Sequence, residues 1–338
     1  MANITGLNWL LSINMKQVII IFLIGLLSAD YGGGYAGSGF RYGSNAREFS
    51  LAGTLIADKT PGFYAFSNPA LLQYARSSQL GLSYQLMSLG RSIQSFSFVK
   101  NLPQKAAVGL AVLRAGTDDI QGRNSMNEPT NTFSAEEIQG VISFGVSFGS
   151  RMALGINIKA FFASIAPEII DVQSGNGIGW DVGLVYKLNR YLIFGGVFEN
   201  MNGNFIWQIA KGDDQESNVE LLPQTLKLGV AYTGYRRLSI YFQEDMVSTP
   251  GKYINYRSRL GIEYRLSNRI MIRGGLTQIQ GVLTSDEEKN GFNLKPSFGA
   301  GIPLKIWEEQ NVRLDYALDP GSVGEGLSHL FSFSMELK

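Results

Sequence analysis

Gly145-Val146-Ser147-Phe148-Gly149 has the Gly-x-Ser-x-Gly spacing of a hydrolase nucleophile elbow, and His329, the single histidine, follows it in the chain order serine, acid, histidine. An elbow needs a buried strand followed at once by a helix, whereas this pentapeptide enters a tight join and then another alternating strand. Its serine reads as a lumen-facing polar residue and its glycine as a hairpin residue. Gly175-Asn176-Gly177-Ile178-Gly179 lacks a surrounding strand-loop-helix unit and a Gly-Lys-Ser/Thr ending, so it does not read as a phosphate loop. Asp213-Asp214-Gln215-Glu216 carries calcium-type donors but reads as a solvated loop. With no cysteine and one histidine, thiolate sites and paired-imidazole zinc sites cannot be built. The expectation is a non-enzyme with no metal site and no cofactor.

What remains is a set of charges that recur on one side of period-two segments: Asp181, Glu199, Lys227, Asp245, Arg257, Glu263, Arg265, Arg273, Arg313 and Asp315, with Lys159, Arg259 and Glu336. Their neighbours on the other side are apolar. Fourteen such segments are expected as strands: 79–87, 92–100, 106–115, 136–149, 151–163, 177–187, 190–200, 223–233, 236–246, 255–266, 268–280, 292–302, 311–318 and 327–338. The joins alternate. Gly149-Ser150-Arg151, Leu188-Asn189-Arg190, Gly234-Tyr235-Arg236 and Ser267-Asn268-Arg269 are tight, while 115–135, 164–176, 201–222, 247–254 and 281–291 are longer and polar.

Short turns at one end, longer loops at the other and strands of about 9–11 residues are the plan of an outer-membrane barrel. A soluble sandwich would not produce that alternation of join lengths. Phe148, Tyr186, Tyr232 and Tyr264 fall on the apolar face beside the tight joins, as an interfacial aromatic girdle would. The charges then form a mixed-sign polar network inside the lumen, because an Arg or Lys on the lipid face would cost about 2–4 kcal/mol at the midplane. The fold class predicted is all-β: a 14-stranded antiparallel transmembrane barrel.

Composition agrees with this and excludes other classes. There are 29 basic and 28 acidic side chains, so no electrostatic footprint for nucleic acid exists. Mean hydropathy is +0.02, too polar for a bundle of membrane helices. The continuous apolar run from Val18 to Leu27, preceded by Lys16, suits the core of a secretory signal, with Met15 as a possible start and cleavage after Ala29 or Ala36. The chain is accordingly divided into a signal and leader at 1–36, an N-terminal hatch at 37–78 and the barrel at 79–338, located in a Gram-negative type outer membrane.

The stretch Tyr31 to Gly43 is Gly-rich and reads as a linker, Ala46 to Gly53 as briefly helical, and Asn68 as a cap for a turn opened by Pro69. Fourteen strands should enclose a real lumen. Phe49, Leu51, Phe63, Tyr64 and Phe66 are expected to line a small apolar pocket within it.

Asn68-Pro69-Ala70, preceded by Ala46-Arg47 and Ala57-Asp58, resembles the N-terminal signature of the PorV/PorQ family, within the wider group of FadL-like barrels. Leu222 to Val230, Gly261-Ile262-Glu263-Tyr264, Arg273-Gly274-Gly275 and Leu314-Asp315-Tyr316-Ala317 resemble that family's barrel repeats. The resemblance implies a barrel whose N-terminal segment folds inward as a hatch, with Asn68, Pro69, Ala70, Arg47 and Asp58 as its motif. It also implies an outer-membrane component of type IX secretion that receives or docks secretion-machinery or cargo proteins. The FadL side of the resemblance implies the alternative, an uptake channel for a hydrophobic ligand. Membrane lipid is a partner on either reading.

Overall fold

The computed structural model describes residues 36–338 apart from 166–171, 212–213, 236, 249–253, 280–292, 307–309, 322–325 and 338. The apolar run at 18–27 and the cleavage point expected after Ala29 lie outside the described residues. Period-two alternation becomes strand throughout: β1 Ser78–Leu86, β2 Arg91–Leu102, β3 Ala106–Arg123, β4 Pro129–Phe148, β5 Met152–Ile165, β6 Val172–Lys187, β7 Leu192–Met201 and β8 Asn204–Lys211. The rest are β9 Asp214–Leu221, β10 Gln224–Tyr235, β11 Leu238–Ser248, β12 Ile254–Arg265, β13 Met271–Ile279, β14 Asn293–Ile306, β15 Gln310–Asp319 and β16 Ser328–Leu337.

Fourteen of these strands form a closed antiparallel ring. Closure is made by β1 on β16, from Ser78↔Leu337 to Leu86↔His329, and β7 pairs directly with β10. The remaining two strands correct an expectation. In place of the longer polar join expected over 201–222, β8 and β9 form a hairpin that pairs with the far end of β6, Asn176 opposite Ile206. Beyond the Trp180↔Met201 pair β7 leaves β6, and β8 takes over the edge it vacates. The expected loop at 115–135 is also largely strand, because β3 and β4 continue as a two-stranded ribbon as far as Arg123↔Pro129.

The two faces of the ring differ as the alternation requires. Inward positions include Ala107, Ala111, Ala153, Ala231 and Ala317, all fully buried, while Leu82, Phe144, Phe162, Val182, Leu228 and Phe298 are exposed on the outside. A continuous exposed apolar belt of this kind is a membrane-facing surface. Phe148, Tyr186, Tyr232 and Tyr264 are all exposed on the outward side at the short-turn rim. Glu244 departs from the pattern: it has outward register opposite Leu228, yet it is buried and accepts a hydrogen bond from the Ser258 hydroxyl at 2.6 Å. A neighbouring strand thus partly satisfies a carboxylate on the apolar side.

Residues 36–77 precede the ring. A 3-10 turn at Ser38–Arg41 is followed by helix α1 at Ala46–Ser50, helix α2 at Tyr64–Ser67 and a second 3-10 turn at Pro69–Tyr74. Asn45 caps α1 by accepting from the Glu48 N–H at 3.0 Å, and the Glu48 carboxylate accepts in return from the Ser44 N–H at 2.8 Å. Asn68 accepts from the Ala70 N–H at 3.0 Å, with Pro69 at the first position of the turn, as its sequence implies. α1 packs against β13 to β16, and the Pro69–Tyr74 turn packs against β2 to β6. A chain that touches the buried faces of nearly opposite walls of a closed ring crosses its interior. The approach is close: a Cβ on Gly155 would overlap the Pro69 and Ala70 backbone, and one on Gly183 would overlap the Asn68 side chain.

The Gly-rich stretch read as a linker is not one at its described end. Gly39 is small enough to lie against Ala115 while its N–H donates to Glu137 at 2.8 Å. Phe40 stacks on Phe161 and Phe205 at ring separations of 5.6 and 6.4 Å.

Candidate functional site: the interior of the ring

Arg47, on α1, is the centre of the interior. Its guanidinium meets Asp58 at 2.5 Å and Glu263 of β12 at 3.0 Å, and it donates to the Tyr241 hydroxyl of β11 at 3.2 Å. Glu263 also meets Arg273 at 2.6 Å, Arg273 meets Asp315 at 2.8 Å, and Asp315 meets Arg313 at 2.7 Å. Arg313 then donates to the Pro61 carbonyl at 3.1 Å, so the chain of charges begins and ends on the N-terminal segment. Burial alone would lower the Arg47 pKa, but Asp58 and Glu263 more than offset it and hold it well above the ordinary arginine value. Arg47 stays charged.

A second group lies on β5, β6, β7, β10, β11 and β12. Lys159 meets Asp181 at 2.8 Å, Lys227 meets Glu199 at 2.7 Å and Arg259 meets Asp245 at 2.6 Å. Asn157 links this group to the segment, donating both to Asp181 at 2.8 Å and to the Ala65 carbonyl at 2.9 Å. Of the charges expected in the lumen, Arg257 lies opposite Asp245 in register, beside Arg259, without entering the pairs above. Arg265 is exposed at the short-turn end of β12 and belongs to the rim rather than the network.

Asn68 does more than cap. Its side-chain amide donates to the Ile56 carbonyl at 2.8 Å and to the Leu184 carbonyl of β6 at 3.2 Å, joining two parts of the segment to the wall. Burial, with Asp58 nearby, raises the pKa of Tyr64, whose hydroxyl donates to the Lys59 carbonyl at 2.6 Å. Burial and the nearby Lys187 lower the pKa of Lys59.

The single apolar pocket expected from Phe49, Leu51, Phe63, Tyr64 and Phe66 does not form. Leu51 and Tyr64 belong to the main cluster with Leu71 and Leu72, Phe49 packs on Ala46, Ala317 and Leu330, and Phe66 packs on Ala111 and Val141. Phe63 fills the space above Gly81. The reason is geometric: Phe49 and Leu51 lie in and just after α1, Phe63, Tyr64 and Phe66 just before and in α2, and within each helix the neighbouring positions turn to different parts of the wall. Two of the five, Phe63 and Tyr64, do border a void together with Asn45, Arg47, Asp58 and Arg313, but it is about 10 Å³, which at most admits one water.

A larger depression, about 720 Å³, lies on the outward side of the wall, lined by Ile138, Ala160, Phe162, Ile178 and Ile206 with Asn176 and Asn204 beside them. The alternation of the fourteen expected strands does not reveal it, because β8, which supplies Ile206, falls in the expected polar join at 201–222. Its signal was present in the alternation Phe205, Trp207, Ile209.

The elbow pattern is separated by the fold. Ser147 ends β4 at the short-turn rim, while His329 opens β16 at the opposite rim, where its Nδ1 lies 2.9 Å from the Tyr316 hydroxyl. Gly175 and Gly179 make room for the Trp207 and Phe161 rings. Asp213 and the side chains of Asp214, Gln215 and Glu216 lie outside the described residues.

No protein-family model matches the chain, and no curated protein matches it. Solved structures do. The toluene transporter TodX of P. putida aligns with a TM-score of 0.59 at 15% identity, over 88% of this chain and 98% of its own. The toluene transporter TbuX of Ralstonia pickettii gives 0.62 at 14%, over 89% and 100%. A Pseudomonas aeruginosa FadL homologue gives 0.57 at 12%, over 86% and 97%.

The chain has the fold of these barrels. At such identity the likeness concerns backbone and not binding residues, so the side chains above must be judged on their own geometry.

Proposed function

We propose that the protein is an outer-membrane barrel that admits hydrophobic small molecules, with residues 37–78 as a hatch across its lumen and a signal at 1–36 directing its export. The observation that carries this reading is the crossing segment itself, held to the wall by Arg47 and Asn68 across a ring with an apolar outer belt. A ring of this size without an occupant would leave an open channel. Support comes also from the neighbours of like fold, two of which are described as toluene transporters. In this reading the short turns face the periplasm. The role in type IX secretion implied by the PorV/PorQ resemblance draws no support from these neighbours, and uptake replaces it as the leading function.

Cells producing the protein should accumulate a neutral aromatic hydrocarbon faster than cells lacking it, and a variant without residues 44–72 should conduct small polar solutes in planar bilayers. Equal uptake with and without the protein sinks the transport reading. Recovery of exported proteins with the purified barrel, with no hydrophobic ligand, would return the docking role to first place.

A further inference from the structure

Charge is distributed along the barrel axis in a way that neither the interior network nor uptake explains. Six short connections lie at the rim marked by the aromatic girdle, and five of them carry an exposed basic side chain: Lys105 after β2, Arg151 after β4, Arg190 after β6, Arg237 after β10 and Arg269 after β12; beside the sixth, Lys305 is exposed near the end of β14. The first five connections contain no acidic residue; the sixth includes Glu308 and Glu309, which lie outside the described residues. The opposite rim is mixed in sign at its described ribbon, where Asp118, Asp119 and Glu128 are exposed together with Arg123. A chain with a net charge of only +1 thus gathers cations at its tight turns.

We propose that the short-turn rim is a collar that binds the anionic headgroups of phospholipids in the periplasmic leaflet, an inference that rests on the membrane-barrel reading. Three features favour lipid over a protein partner. The cations recur at five of the six turns around the ring, whereas a docked protein would call for a patch on one side. Four of them, Arg151, Arg190, Arg237 and Arg269, follow directly on the outward Phe148, Tyr186, Tyr232 and Tyr264, which set the hydrocarbon boundary, so they sit at the level of phosphate groups. The Arg190 guanidinium lies 4.4 Å from the centroid of the Tyr191 ring, an arrangement that holds a cation at an interface. Basic side chains beside an anionic leaflet attract it within a Debye length, so the effect should weaken with salt.

The test uses the full-length protein stripped of lipid in neutral detergent and offered equal amounts of phosphatidylglycerol and phosphatidylcholine with identical acyl chains. Native mass spectrometry should find phosphatidylglycerol retained several-fold over phosphatidylcholine. The preference should disappear in a variant combining Arg151→Gln, Arg190→Gln, Arg237→Gln and Arg269→Gln, and persist in Arg123→Gln on the opposite ribbon. Equal retention of the two lipids, or a preference unchanged in the fourfold variant, overturns the collar. So does displacement of the lipid by inorganic phosphate at equal phosphorus, which would mark a free-anion site, or tighter capture of polyglutamate than of phosphatidylglycerol vesicles, which would mark an acidic protein partner. Gel mobility before and after boiling keeps the two readings apart: a protein that never forms a heat-modifiable barrel fails the membrane reading, while one that forms it without lipid preference fails only the collar.

Discussion

The wall of the ring is two different surfaces on its inner side. From β1 to β4 the inward residues are, apart from Glu137, mostly small or uncharged, among them Gln79, Ser83, Gln85, Ser95, Ala107 and Ser143. From β10 to β15 they are Lys227, Asp245, Arg259, Glu263, Arg273 and Asp315. The N-terminal segment meets the first arc by shape and by single hydrogen bonds to its backbone, such as Gln85 to the Gly43 carbonyl at 2.6 Å and Ser95 to the Ser44 carbonyl. It meets the second through charged groups, Arg47 binding Glu263 of the wall and Asp58 of the segment at once while Arg259 and Arg313 donate to the Ala52 and Pro61 carbonyls. The neutral arc is a set of independent, individually replaceable contacts. The charged arc is a network in which losing one member strands the others without compensation.

The largest effect should come from breaking the network at its centre. Arg47→Ala leaves Asp58 and Glu263 buried with one fewer cation and should weaken docking of the segment by about 3–5 kcal/mol. Amide hydrogen exchange across 46–72 and bilayer conductance should both rise in an assembled barrel. Unchanged exchange would mean the neutral arc alone holds the segment. Val182→Arg tests the faces on which both arcs depend, since it puts a cation on the lipid side at a cost of about 2–4 kcal/mol and should reduce the heat-modifiable fraction. On the neutral arc, Gln85→Leu should cost about 1 kcal/mol in the same exchange assay, a single uncharged hydrogen bond. Asn68→Ala should cost about 1 kcal/mol for the lost cap, with the released Leu184 carbonyl adding to it if the comparison of arcs holds on β6 as well.

The smallest effect is in alkali. Lys59 has a pKa lowered by burial and by Lys187, so the undocked segment binds more protons than the docked one between that lowered value and 10.5. Docking should therefore strengthen as pH rises through that window, and Lys59→Met should flatten the dependence of amide exchange on pH.

Much of this was legible in the chain because a β-barrel writes its two faces residue by residue. All fourteen ring strands fall where the alternation put them, and Arg47, Asp58 and Asn68 could be named before their partners were known. The β8–β9 hairpin was not, because it pairs with an extension of β6 whose partner depends on where β7 leaves the ring. Nor was the dispersal of Phe49, Phe63 and Phe66 to separate walls. Apolar residues close in sequence suggested one pocket, but a narrow segment inside a ring turns each toward a different strand.

The sequence by itself determined the number of ring strands and which side of each faces lipid, since both follow from period-two alternation. Only the tertiary structure decided which carboxylate faces which cation. Glu263 and Asp58 are separated by more than two hundred positions yet meet on one guanidinium, because the closure of β16 on β1 and the path of the segment across the ring bring them there. Alternation says that a charge faces inward; only ring register and the crossing chain say what it finds on the other side.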